Sequence, residues 1–359
     1  MLGIEKATEK FKSILPFDAW QSFENPRLEN EEAYFLNDEH IVQLRKNSEI
    51  VDWEYLGEET VDGVGTLRRM GFVTEYGYAY SALIGIPDNP ASTVPVIGTS
   101  AWWTSTEGHN EHTLRNLVRA GNFVYLVGAE GSYEPKEKPE PNGPITLADS
   151  AAVVLNFSHH TTNELVEEGH ILNERDRVVV GESRGGMVGM GIVALAPEFN
   201  QDIVFADLTA PCLPQRMEIA NVVDLLKQVV REPGEIAKLV GSLTLARLVH
   251  YPSTIDLSPY SVRHQLAIGF ALFSGEAGAL ARHIPKDVLM HITVFENDFA
   301  SMAESWGGIF QNHPDVQITP LPGSHLTLAD LETLMYILGR NEAVIECLAN
   351  VIPLTRKTV

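Results

Sequence analysis

Residues 178–195 limit the fold of this chain more than any other stretch. Three β-branched residues, Val178-Val179-Val180, lead directly into Gly181-Glu182-Ser183-Arg184-Gly185, and a run of small and apolar residues follows. The β-branched run reads as a buried strand, and residues 187–195 read as a helix. A chain that passes from strand to helix across Gly-x-Ser-x-Gly must turn sharply through strained backbone at the serine. The residues two before and two after it must therefore be small. Such a turn exposes the Ser183 hydroxyl at the carboxyl edge of the strand. It also puts the backbone N–H of Arg184 at a helix N-terminus, where it can hold a developing negative oxygen. Gly186 and Gly189 let the helix lie close to a sheet. The bland alternative is a plain strand–turn–helix junction with a bystander serine.

The surrounding pattern is an alternation of strands and helices. Residues 51–56, 65–74 and 78–86 read as strands, followed by short apolar strands at 94–97, 123–127, 177–180 and 203–208. A helix is expected over 112–120, with Gly121 at its end. Another runs from 147 to 168, with Thr146 as N-cap and Asp149 three residues on. Residues 211–285 break the rhythm, with helical stretches at 216–231, 235–249, 261–273 and 276–283 and no convincing strand. Alternation resumes with strands at 288–295 and 316–321, a helix near 301–310 and a C-terminal helix from 326. Together these predict an α/β fold with a mostly parallel central sheet flanked by helices. The expected division is an N-terminal helical appendage at 1–50, a core at 51–210 and 286–359, and a helical cap at 211–285.

A serine nucleophile needs a base, and the base needs an acid to orient it. Asp298 follows the strand at 288–295. His325 follows the strand at 316–321, within Gly323-Ser324-His325. Both fall in loops at the carboxyl ends of strands, on the edge that carries Ser183. Glu296, two residues before Asp298, is an alternative acid, and Asp207, after the previous strand, a more distant one. In its elbow, in Val294-Phe295-Glu296-Asn297-Asp298 and in Gly323-Ser324-His325, the chain resembles the α/β-hydrolase superfamily from about residue 51 onward. The resemblance implies that Ser183 is the nucleophile, His325 the general base and then acid, and Asp298 the orienting acid. Many members end the third strand with His-Gly. Here Val96-Ile97-Gly98-Thr99-Ser100 keeps the glycine and lacks the histidine. Since a backbone N–H is what the chemistry needs, Thr99 or Ser100 is the expected second oxyanion donor beside Arg184. Trp102 and Trp103 follow as candidate linings of an acyl pocket, with ordinary packing as the alternative.

The formal net charge of −22 over 359 residues argues against nucleic acid and anionic lipid as partners. Two cysteines, Cys212 and Cys347, make neither a disulfide framework nor a zinc site. Neither a signal peptide nor a membrane span is visible, so the expected compartment is cytoplasmic. Gly189-Met190-Gly191-Ile192-Val193-Ala194 matches a dinucleotide pattern but falls inside the expected helix, not at its start. His109, Glu111 and His112, and the adjacent His159 and His160, lack metal-ligand spacing. The acidic stretch 130–140 reads as a solvated loop. For Arg184, a substrate contact and a salt bridge beside the elbow both stay open.

The resulting expectation is a serine hydrolase of a carboxylic ester or related acyl compound. It needs no metal or organic cofactor and takes a small apolar substrate. Thioesters, amides, peptides and carbon–carbon bonds stay open as substrates, as does cofactor-free haloperoxidation. A catalytically silent binding protein on the same fold is the rival from a different class. The N-terminal segment and the cap are places where a second copy could dock, although no feature demands it.

Overall fold

A computed structural model describes residues 38–99, 109–133, 135, 146–211, 214, 274–296 and 303–322. The expected cap helices at 216–231, 235–249 and 261–273, the C-terminal helix and the first 37 residues lie outside these.

Nine strands form one sheet in the order β1-β2-β3-β5-β4-β6-β7-β8-β9. They are β1 (Ile50–Val61), β2 (Gly65–Thr74), β3 (Ala79–Pro87), β4 (Val96–Thr99), β5 (Val124–Val127), β6 (Asp176–Glu182), β7 (Asp202–Thr209), β8 (Leu289–Phe295) and β9 (Val316–Leu321). The first three strands, and β3 with β5, pair antiparallel. From β5 through β9 every pairing is parallel. Strands β4 and β5 are buried along their whole length, as strands covered on both faces must be.

β1 runs five residues beyond the expected 51–56. Glu58 and Glu59 lack strand propensity, but β1 pairs with β2 along its length, with a bulge at Tyr55/Gly57. Their carboxylates also meet arginines, Glu58 with Arg68 at 3.3 Å and Glu59 with Arg115 at 2.9 Å.

Helices in chain order are α1 (Asp38–Asn47), α2 (His109–Arg119), α3 (Leu147–Glu167), α4 (Arg184–Leu195), α5 (Glu276–Ala281) and α6 (Ala303–Phe310). The sheet alternates its side chains between two apolar clusters. Val179, Ala206, Leu208, Ile292 and Val294 face the cluster that takes in α3, α4 and α5. Val96, Val124, Leu126 and Val178 face the cluster of Leu114, Leu117 and Val118 on α2.

Helix α3 begins with the expected capping box. The Thr146 hydroxyl accepts from the Asp149 N–H at 3.0 Å, and the Asp149 carboxylate accepts from the Thr146 N–H. The Leu147 and Ala148 N–H groups donate to Glu276, at 2.8 and 3.3 Å. Glu276 opens α5, which falls inside the segment assigned to the cap. Yet Ala277, Ala279, Leu280 and Ala281 of this helix are part of the main core.

Strand order places the site. From β4 the chain crosses to β5 on one side, and from β6 it crosses to β7 on the other. Connections that diverge in this way leave a crevice at the carboxyl ends of β4 and β6. Those ends are Thr99 and Glu182, and Ser183 follows directly.

Candidate active site

Ser183 has φ 54° and ψ −120°, a conformation that L-residues rarely adopt. Serine is a favoured N-cap because its oxygen can accept from the first turn of a helix. Here it stands at the N-cap of α4 and makes no capping hydrogen bond. Capping needs extended backbone, and the strained turn denies it. The first turn of α4 therefore has its N–H groups uncapped by Ser183, and the residue is only half-buried.

Neighbouring strands hold the turn. The Ser183 N–H donates to the Thr209 carbonyl at the end of β7, at 2.8 Å. From β4, the Thr99 hydroxyl donates to the Gly185 carbonyl at 2.7 Å. The glycines are required by space. A Cβ on Gly181 would lie 2.4 Å from the Gly185 oxygen and 2.6 Å from the Thr99 hydroxyl oxygen. On Gly189 it would lie 2.5 Å from Leu208 Cδ2, so this glycine seats α4 on the sheet. Gly189 through Ala194 lie within α4, as the rejection of a dinucleotide site requires.

Helix α4 starts at Arg184, three residues earlier than the expected 187. The Arg184 backbone N–H is thus the first of the helix. Its side chain is buried and pairs with Glu130, just beyond β5, and its Nη2 donates to Ser150 on α3 at 3.2 Å. That selects the salt bridge over a substrate contact for this residue. It also corrects, at Glu130, the reading of residues 130–140 as a solvated loop, since Glu130 is 1% exposed; residues 134 and 136–140 lie outside the described residues. The sequence signal was position: Glu130 stands three residues after a buried strand, ahead of the Pro- and Glu-rich run.

Of the two alternative acids, Glu296 is exposed just past the end of β8, with its N–H on the Leu321 carbonyl at 2.8 Å. Asp207 lies inside β7, two residues before its end, paired across the strands with Val180 and His291. Its Oδ1 is 3.5 Å from His291 Nδ1, and His291 Nε2 is 2.7 Å from the Thr319 hydroxyl. Burial lowers the His291 pKa from its ordinary value. Ser100, Trp102, Trp103, Asp298 and His325 lie outside the described residues. Thr99 ends β4, level with Gly181 of β6. His159 is exposed on α3, 3.2 Å from Asn163, and His160 packs its ring on Trp53. No helix among the described residues is long and apolar enough to cross a membrane.

No family model and no curated protein matches the sequence. Solved structures do match the fold. The α/β hydrolase GrgF from Penicillium sp. sh18 superposes with a TM-score of 0.52 at 14% identity, over 78% of this chain and 98% of that one. The chain has the α/β-hydrolase fold. An enol-lactonase from Burkholderia xenovorans LB400 (TM-score 0.51, 14% identity, 83% of this chain and 100% of that one) shares this hydrolase fold. So does a highly thermostable carboxyl esterase from Bacillus coagulans (TM-score 0.51, 15% identity, 78% and 99%). Within the hydrolase fold of this chain, β6, the elbow and α4 form the strand–turn–helix unit expected from residues 178–195.

Proposed function

We propose that this protein is a serine hydrolase that cleaves a carboxylic ester or related acyl bond of a small apolar substrate. The observation that carries this reading is Ser183. It stands strained and half-buried at the switch point of a parallel sheet, on a helix N-terminus that it does not cap.

In the proposed reaction the Ser183 oxygen bonds to the substrate carbonyl carbon, and the carbonyl electron pair moves onto its oxygen. His325 takes the serine proton. The Arg184 N–H and a backbone N–H of the Thr99–Ser100 turn hold the oxyanion. Collapse expels the alcohol, which leaves with the proton from His325. Water activated by the same imidazole then attacks the acyl-enzyme and releases the acid. Asp298 orients His325, with Glu296 as the alternative. Trp102 and Trp103 line the acyl pocket, and the part of 211–285 that precedes α5 is the cap that restricts access to it. The carboxyl esterase and the enol-lactonase of the same fold support acyl chemistry as the reaction type.

The test is a panel of p-nitrophenyl esters of increasing acyl length, with thioester, anilide and β-diketone counterparts. Ester turnover that both Ser183→Ala and His325→Ala lose is expected. Ester turnover that survives Ser183→Ala would contradict the reading.

A further inference from the structure

The residue that offers its N–H to the oxyanion has a side chain the reaction does not use, and that side chain is buried in an ion pair. Arg184 and Glu130 form an ion pair with 4% and 1% of their side chains exposed. Glu130 also accepts from the Ser150 hydroxyl, and the Ser150 backbone N–H donates to the Thr146 carbonyl at 3.1 Å. Thr146 is the N-cap of α3. The elbow is thereby tied to the segment just beyond β5 and to the start of α3, the helix that packs against α4.

A buried ion pair is a poor way to gain stability, because desolvating two charges offsets most of their attraction. This one is also incompletely satisfied. Arg184 Nε and the Tyr80 hydroxyl are buried with no hydrogen-bond partner among the described residues. Burial and the Glu130 carboxylate push the Tyr80 pKa well above its ordinary value, which keeps the phenol neutral. What such a pair does supply is direction. Arg184 Nη2 donates both to Glu130 and to the Ser150 hydroxyl, and such directed, charge-assisted bonds fix the residue that bears them far better than apolar packing. Strained backbone persists only where its surroundings over-determine it, and Ser183 is the strained residue next to Arg184.

We infer that the Arg184 side chain is a positioning group: gripped by Glu130, it aims the Arg184 backbone N–H at the oxygen that becomes negative. This rests on the function proposed above. The elbow then has three independent anchors. Thr209 holds the Ser183 N–H, Thr99 holds the Gly185 carbonyl, and Glu130 holds the side chain between them. Loss of the third leaves the nucleophile in place and lets the oxyanion donor wander.

The test compares full-length Arg184→Met, Arg184→Lys and Glu130→Gln with wild type, using the best p-nitrophenyl ester of the panel. Circular dichroism checks that each variant is folded. Loss of aim at a transition-state contact lowers kcat and leaves KM, so Arg184→Met should lose roughly tenfold to a hundredfold in kcat. Arg184→Lys keeps the charge without the fork and should recover part of that loss. Glu130→Gln keeps an acceptor and should lose severalfold, and it decides the matter if Arg184→Met does not fold. A folded Arg184→Met or Glu130→Gln with wild-type kcat would overturn the inference. So would a loss residing wholly in KM. Wild type that fails to label with a serine-directed fluorophosphonate would instead overturn the proposed function.

Discussion

The Thr99 hydroxyl donates to the Gly185 carbonyl across 2.7 Å, joining the end of β4 to the first turn after the candidate nucleophile. The same hydroxyl lies 3.3 Å from the Val180 carbonyl, but it has one proton and the shorter contact takes it. Thr99→Val keeps the shape and leaves a buried carbonyl without its donor. A loss of about 1–3 kcal/mol is expected. Urea midpoints at neutral pH would measure it, and Thr99→Ser should keep most of the stability. Equal midpoints for Val and wild type would mean that the contact holds nothing.

Gly181→Ala should be far more damaging than its single methyl suggests. The new Cβ meets backbone at 2.4 Å, which cannot give without moving the turn. Overpacking of this kind costs about 1–3 kcal/mol, and an ångström of misplacement about a hundredfold in rate. Gly308→Ala on α6 is the matched control, since its Cβ would meet nothing within 4 Å. Helix propensity predicts that it raises stability by about 0.5–1 kcal/mol. Thermal unfolding and ester turnover of the two variants should separate cleanly, and parallel behaviour would refute the steric reading of the elbow.

Arg177, at the start of β6, is fully buried. Its donors reach the Ser158 and Thr162 hydroxyls and the carbonyls of Asn173, Glu174 and Asp176, all within 3.0 Å. Removing a charged donor set of this kind leaves five acceptors to find other partners. Arg177→Met should cost on the order of 3 kcal/mol or more. Lysine cannot reproduce the fork, so Arg177→Lys should recover little of it. Denaturant titration checks both, and full recovery by lysine would show that charge alone suffices.

Stability should fall on mild acidification, and His291 should carry part of the fall. Burial lowers its pKa in the folded protein, so the unfolded chain takes up the proton first as pH drops. The neutral imidazole's contribution is whole above the unfolded value of about 6.5 and is lost as pH falls from there toward the folded value. His283 is lowered by burial too, helped by Arg282, and acts with the same sign. His291→Gln keeps a partner for Thr319 and should flatten the difference in urea midpoint between pH 7.5 and pH 5.5. An undiminished difference would remove His291 from the account.

Much of the fold is legible in the residues because local and global preferences agree. The β-branched run at 178–180, the Thr146–Asp149 box and the glycine at 121 each specify one local geometry, and each occurs where expected. Features that depend on distant partners are not legible. Glu58 and Glu59 continue a strand because β2 and two arginines meet them. Glu130 reads as one more carboxylate of an acidic loop until its arginine, 54 positions away, comes into view. Glu276 reads as an ordinary helix residue, and only the fold reveals it at the head of α3. In the site, spacing marks Ser183 unaided, whereas its anchors come from β4, β7 and the segment after β5 and follow from topology.

The central claim is that Ser183 is an activated nucleophile. Labelling the full-length protein with a fluorescent fluorophosphonate, beside Ser183→Ala, tests it most directly. The account predicts rapid stoichiometric labelling of wild type, blocked by prior incubation with a substrate ester, and no labelling of the alanine variant. A folded wild type that does not label, or an alanine variant that labels equally well, would contradict it.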